Sequence, residues 1–133
     1  MNTRPVSTRA RGRASEDLAA NFLEARGLVI CDRNVILAGA ELDLVARHPK
    51  VDGTETVVFI EVRSRRDATS GHPVETVDRA KQRRIVRAAT AWLVAASLWD
   101  QVEVRFDVVA IVHDPTNDKA PEISWIAGAF VAD

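Results

Sequence analysis

The sequence predicts an α/β fold in the order αβββαββ, with helices lying on a β-sheet. Three observations carry this. Two stretches, from about Ser15 and from Val77 to Ala96, repeat apolar residues with helical periodicity. Five shorter stretches are rich in Val, Ile and Phe and are bounded by turn residues. The whole chain has 133 residues, 47% hydrophobic and 28% charged, which suits one domain around one core.

Residues Met1 to about Arg13 are polar and basic, with Arg4, Arg9, Arg11 and Arg13 around Pro5, and read as a mobile arm preceding a single domain over 14–133. Helix one follows from about Ser15, its candidate cap. Leu18, Ala19, Phe22, Leu23 and Ala25 form its apolar stripe and Gly27 its stop. A short strand covers Leu28 to Asp32 or a little beyond. Ala38-Gly39-Ala40 then turns the chain into a second strand, about Glu41 to Arg47. Pro49 and Asp52-Gly53 mark the connection to a third strand, Val57 to Arg63, expected to pair with the second as an antiparallel hairpin.

The polar segment from Ser64 to about Glu75, with Gly71 and Pro73, is a candidate mobile loop over a site. In the long helix Ile85, Ala88, Ala89, Trp92, Leu93 and Ala96 keep the rhythm of a helix resting on a sheet. Val102 to Val112 alternates as a fourth strand. After a loop from Pro115 to Pro121, Ile123 to Phe130 is the fifth, interrupted by Gly128. Trp92 belongs to the core by its place on the stripe; Trp99 and Trp125, near element ends, are suited to covering the core or stacking on a base, and the core is the favoured reading. Asp107 reads as structural, a partner for Arg33 or for Arg105 of a neighbouring molecule.

Composition excludes several classes. No apolar run approaches the roughly 18 residues needed to cross a bilayer, and the Arg-rich start lacks the apolar stretch of a secretory signal. A cytoplasmic protein without a membrane partner is expected. A lone cysteine, Cys31, forms no internal disulfide or multi-cysteine zinc site and is expected to be a small buried apolar residue. His48, His72 and His113 lack metal-ligand spacing and read as ordinary surface residues.

Charge is uneven. Residues 1–90 hold 16 basic and 12 acidic side chains, against 2 and 7 in residues 91–133, so a polyanion would approach the first two thirds. Within 63–87 lie Arg63, Arg65, Arg66, Arg79, Lys81, Arg83, Arg84 and Arg87 against only Asp67, Glu75 and Asp78. Arg79, Arg83 and Arg87 recur every four residues and share one helix face. That face and the Ser64-Arg65-Arg66 segment are suited to tracking a nucleic-acid backbone.

Side chains alternate along a strand, so Glu61 and Arg63 share a face with Phe59, as Glu41 does with Asp43. A hairpin register that puts those faces on one side brings Asp43 and Glu61 together. Two close carboxylates repel unless a cation lies between them, and hard oxygen ligands suit Mg²⁺ or Mn²⁺. Taken alone, Glu-x-Arg on a strand is ordinarily a solvated face of a sheet.

An Asp followed by Glu-x-Arg on the next strand resembles the metal-binding heart of the PD-(D/E)xK nucleases. The ordered set extends further: Ser15-Glu16-Asp17-Leu18-Ala19, Asn34, Ala40-Glu41-Leu42-Asp43-Leu44, Val58-Phe59-Ile60-Glu61-Val62-Arg63, Lys81 and Arg105-Phe106-Asp107-Val108-Val109. Over roughly residues 10–130 it resembles the bacterial YraN family. That resemblance implies a restriction-endonuclease-like core, a central mixed sheet flanked by helices, related to archaeal Holliday-junction resolvases and tRNA-splicing endonucleases. Asp43, Glu61 and the Val62 carbonyl would hold Mg²⁺ or Mn²⁺, and Glu16 would be the additional acid of the resolvase-like branch.

Arg63 stands where most of these nucleases carry lysine. A guanidinium does not give up its proton, so Arg63 orients water or grips phosphate rather than acting as a base. The function expected is a metal-dependent endonuclease on DNA rather than RNA, branched or single-stranded, with catalytic Asp43, Glu61, Arg63 and Glu16. Arg65, Arg66, Lys81, Arg83, Arg84 and Arg87 would bind nucleic acid, Lys81 facing the scissile phosphate. A homodimer follows by analogy with resolvases. The alternatives are a nucleic-acid-binding module with an idle acidic cluster, and an adaptor docking through the acidic last third.

Overall fold

Alternating apolar residues on β3 (Glu55–Arg65) place Val57 and Phe59 on one face and Val58 and Ile60 on the other, and all four are buried. A strand buried on both faces needs a layer on each side, and the chain supplies a helix for each. The computed structural model describes residues 8–65, 77–113 and 120–132. Its elements are α1 (Thr8–Glu24), β1 (Val29–Leu37), β2 (Ala40–Pro49), β3, α2 (Arg79–Ala95), β4 (Glu103–Val112) and β5 (Glu122–Phe130). The order αβββαββ is the one expected.

The strands form a single mixed sheet ordered β1-β2-β3-β4-β5. β2 and β3 are the expected antiparallel hairpin, in register Leu44↔Ile60 through Pro49↔Glu55. β3 and β4 run parallel, which requires a crossover, and α2 lies within it. This three-layered arrangement is consistent with a restriction-endonuclease-like core.

Beneath α2, Ile85, Ala88, Ala89 and Leu93 pack on Val45, Val57, Phe59, Phe106 and Val108. Phe59 lies edge-on to Trp92 at 5.8 Å and stacked with Phe106 at 5.7 Å between ring centroids, so Trp92 is a core residue as its spacing indicated. Beneath α1, Ala19, Ala20 and Leu23 meet Leu44, Ala46, Val58, Ile60, Val109 and Ile111. Fully burying such a side chain contributes about 1.5–3 kcal/mol, so these two interfaces anchor both helices.

The helix ends follow local chemistry. After α1, Gly27 adopts φ +93°, the Leu28 amide donates to the Leu23 carbonyl at 3.1 Å and the Gly27 amide to Glu24 at 3.1 Å. This is a Schellman stop, closed by the buried Leu23 and Leu28. The β1–β2 turn has positive φ at both Ala38 and Gly39, the pattern of a type I′ hairpin.

Several expectations need correction. Helix α1 starts at Thr8, not near Ser15, so Ser15 is a buried residue inside the helix and not its cap. Alanine and arginine are strong helix formers, and no proline or glycine pair interrupts 8–14, so propensity carries the helix past the end of the apolar stripe. Residues 1–7 of the expected arm lie outside the described residues, as do 66–76 of the expected loop. Strand β1 continues to Leu37, well beyond Asp32. Cys31 is exposed, with Sγ 3.3 Å from the Val45 carbonyl, because the β1–β2 register shifts between Ile30 and Asp32 and turns it out of the core.

His48 is half-buried, with Nδ1 3.1 Å from Arg105 Nη2. Trp99 does not cover the core; it is 55% exposed beyond the end of α2. Trp125 does help to cover it, packing beside the α1 cluster. Asp107 is structural, but its partner is Arg105 of its own strand, while Arg33 pairs with Asp17 at 2.7 Å.

Candidate functional site

The β2–β3 ladder stops at Leu44↔Ile60, one step short of Asp43 and Glu61. Beyond it the Asp43 side chain replaces a backbone partner: Oδ2 accepts the Val62 amide at 2.9 Å. The amide and carbonyl of one residue in an extended strand point to the same side, so the Val62 carbonyl also faces this opening. On the other flank, the pairs Arg33↔Leu44 and Val35↔Leu42 set Asn34 opposite Asp43. Packing alternation breaks at the same place, with Leu42 under α2 and Leu44 under α1. Two sheet strands part here, and carboxylates occupy the gap.

Glu61 is almost wholly buried, at 6% exposure, and is met by Lys81 Nζ at 2.8 Å and Arg63 Nε at 3.7 Å. The Asp43 and Glu61 carboxyl groups lie close enough to act on one another. Burial, with the Glu61 charge beside it, pushes the Asp43 carboxyl from 3.8 up to about 8, against the opposing pull of the Val62 amide. Glu16 reaches in from α1. Burial raises its pKa, opposed by a hydrogen bond from Asn34 and reinforced by the charge of Glu41.

Carboxylate oxygens of Glu16, Glu41 and Asp43 all lie within 4.8 Å of one another. Glu16 Oε2 is buried and has no hydrogen-bond partner among the described residues. Three acids converge from α1 and β2, with Glu61 of β3 beside Asp43. Such crowding raises the free energy of the ionised state, and a divalent cation is the species that would relieve it.

A cavity of about 260 Å³ opens onto the cluster between the β1–β2 turn and α2, lined by Glu41, Asp43, Glu61, Lys81 and Arg84. The first turn of α2 positions Lys81. Asp78, the N-cap, accepts the Lys81 backbone amide at 2.8 Å and so fixes where its side chain leaves the helix. The structure thus brings together Glu16, Asp43, Glu61, Arg63, Lys81 and Arg84.

It does not bring in every basic residue named from the sequence. Arg83 and Arg87 lie on the other flank of α2, with Arg79. Arg65 is half-buried at the end of β3, where its carbonyl accepts the His113 amide at 2.7 Å. Arg66 lies outside the described residues.

Sequence reasoning missed three contributors. Glu41 was legible as a face-mate of Asp43, yet nothing local showed that it would approach Glu16. Asn34, at φ +52°, carries the left-handed conformation that asparagine tolerates, and it steers Glu16. Asp78 before a helical run is a readable N-cap signal.

The model of the uncharacterised protein family UPF0102 matches residues 15–111. The chain belongs to this family, also called YraN. A UPF0102 protein of Chromohalobacter salexigens is 44% identical over 134 residues, 99% of each chain. A Syntrophotalea carbinolica relative is 42% identical over 122 residues, 92% of each chain, and a Vibrio cholerae one 37% over 126 residues. The UPF0102 match spans both helix–sheet interfaces and every residue of the acidic cluster.

Proposed function

We propose that this UPF0102 protein hydrolyses phosphodiester bonds in DNA with Mg²⁺ or Mn²⁺ held by Asp43 and Glu61. The observation that carries the reading is the carboxylate pair at the parted ends of β2 and β3, one member pushed up to about 8 by burial and by the other. The Val62 carbonyl would complete the protein ligands, with Glu16 and Glu41 close enough to hold a bound water. Oxygen donors of this kind suit hard cations that retain water and accept phosphate oxygens. When bound, the ion supplies charge neutralisation and a more acidic water.

The chain's own side chains do the rest. Lys81 and Arg84 at the cavity mouth attract the phosphate and fix its orientation. Arg63, always protonated, donates hydrogen bonds to a phosphoryl oxygen as charge develops there, a role electrostatic rather than basic. Glu16, whose pKa is raised by burial, would accept a proton from water. Arg63 and Lys81 both contact Glu61, so a phosphate entering between them would draw them from the carboxylate and free it for the ion.

The same Lys81–Glu61 contact favours a second reading. An ammonium at 2.8 Å already compensates Glu61 without a metal, as an idle cluster on a binding module would require. Cleavage of labelled single-stranded and branched DNA separates the two. On the first reading Mn²⁺ supports cleavage, and Asp43→Ala and Glu61→Ala each lower it by more than the roughly 10–100-fold lost with a residue that only supports a metal ligand. Undiminished cleavage in both variants contradicts it, and binding without product at any metal concentration selects the second.

A further inference from the structure

The flank of α2 turned away from the acidic cluster forms its own groove against the end of β5. It encloses about 530 Å³ and is lined by Arg79, Arg83, Arg87, Val86, Phe130 and Val131, among others. Among the described residues no carboxylate lines it, and none of the three arginines is ion-paired. Like charges four residues apart destabilise a helix, so this stripe weakens the element that carries it unless a polyanion is bound. A second cavity of about 280 Å³ continues the groove, sharing Val86, Phe130 and Val131, and is walled by Trp99. Trp99 is 55% exposed, and nothing in the core requires it there.

We infer that this groove binds a single strand of DNA, with phosphates on Arg79, Arg83 and Arg87 and a base stacked on Trp99. Successive arginines climb the helix by about 6 Å, four residues at 1.5 Å each, on the scale of neighbouring phosphates in one strand. A cationic track ending in an exposed aromatic is the combination that holds single strands without sequence preference. An acidic peptide would satisfy the arginines but has no use for the indole. Only the choice of DNA rests on the proposed activity; the groove itself is separated from the acidic cluster by the body of α2.

The test is anisotropy of a labelled oligothymidylate with the full chain in EDTA, where no cleavage complicates binding. Arg83→Ala/Arg87→Ala removes two phosphate contacts and is expected to flatten the log–log salt dependence by about 1.4, at 0.7 per contact. Trp99→Ala should weaken binding several-fold and Trp99→Phe restore most of it. Both sets of residues are exposed or groove-lining, so folding is checked by a circular dichroism melt no lower than that of the wild type. An unchanged salt slope in the double variant overturns the inference, as does preference for duplex, or competition by polyglutamate that is indifferent to Trp99. Loss of cleavage in Asp43→Ala with the oligothymidylate result intact would fault neither reading, whereas absent cleavage in wild type would fault only the proposed hydrolysis.

Discussion

Asp43 holds a proton in the folded protein at pH values where a free carboxyl has lost it, because its neighbours are a buried glutamate and little water. A folded-state pKa raised from 3.8 to about 8 means that the native state binds more protons than the unfolded chain between those limits. Its stabilising contribution is complete below about 4 and is lost as pH climbs through about 8. Without divalent ions, urea unfolding should therefore show stability falling across that interval. Asp43→Asn, which cannot ionise, should flatten the fall and leave the variant more stable than wild type near pH 8. Overlaid pH profiles for the two proteins would contradict this. Mn²⁺ should raise the wild-type Tm most at the alkaline end, where its ligands are ionised.

Between elements, the most consequential polar junction ties β4 to β5. Asp107 is fully buried, and both its oxygens are doubly engaged: Oδ1 by Arg105 Nε and the Gly128 amide at 2.9 Å each, Oδ2 by Arg105 Nη2 at 3.0 Å and Trp125 Nε1 at 2.8 Å. Asp107→Ala would leave a partly buried guanidinium, an indole N–H and a backbone amide without their acceptor. A loss of about 3 kcal/mol in urea denaturation is expected, and a loss under about 1 kcal/mol would show that solvent replaces the carboxylate.

Strand identity was legible from the sequence because Val57 to Val62 is a short β-branched apolar run and Val104 to Val108 alternates, and α2 because Ile85, Ala88, Trp92 and Leu93 repeat with helical period. The start of α1 was not, since 8–14 fold on propensity without an apolar stripe to mark them. Cys31 was misread for a different reason: a register shift between neighbours reverses side-chain direction and leaves no trace in composition.

At the scale of the molecule, α2 separates two chemically different surfaces. On one side Lys81 and Arg84 overlook the acids, and on the other Arg79, Arg83 and Arg87 line a groove free of carboxylates among the described residues. The sequence put Arg79, Arg83 and Arg87 on one helix face but not on the flank away from the acids, because which flank a face takes depends on how the helix axis lies on the sheet. Proximity of Asp43 to Glu61 was readable as a condition on hairpin register; the two lie one step past the last ladder pair, Leu44↔Ile60, where the strands part. The approach of Lys81 was not readable, because it joins residues twenty apart through tertiary packing alone. No helix among the described residues is long and apolar enough to cross a membrane.

Anomalous diffraction from a crystal soaked in Mn²⁺ above pH 8 examines the acidic cluster without reference to any substrate. A peak bonded to the Asp43 and Glu61 carboxylates, with Lys81 displaced from Glu61, is the result expected of a metal-dependent hydrolase. No peak there at saturating Mn²⁺, with Lys81 still bonded to Glu61, would contradict it.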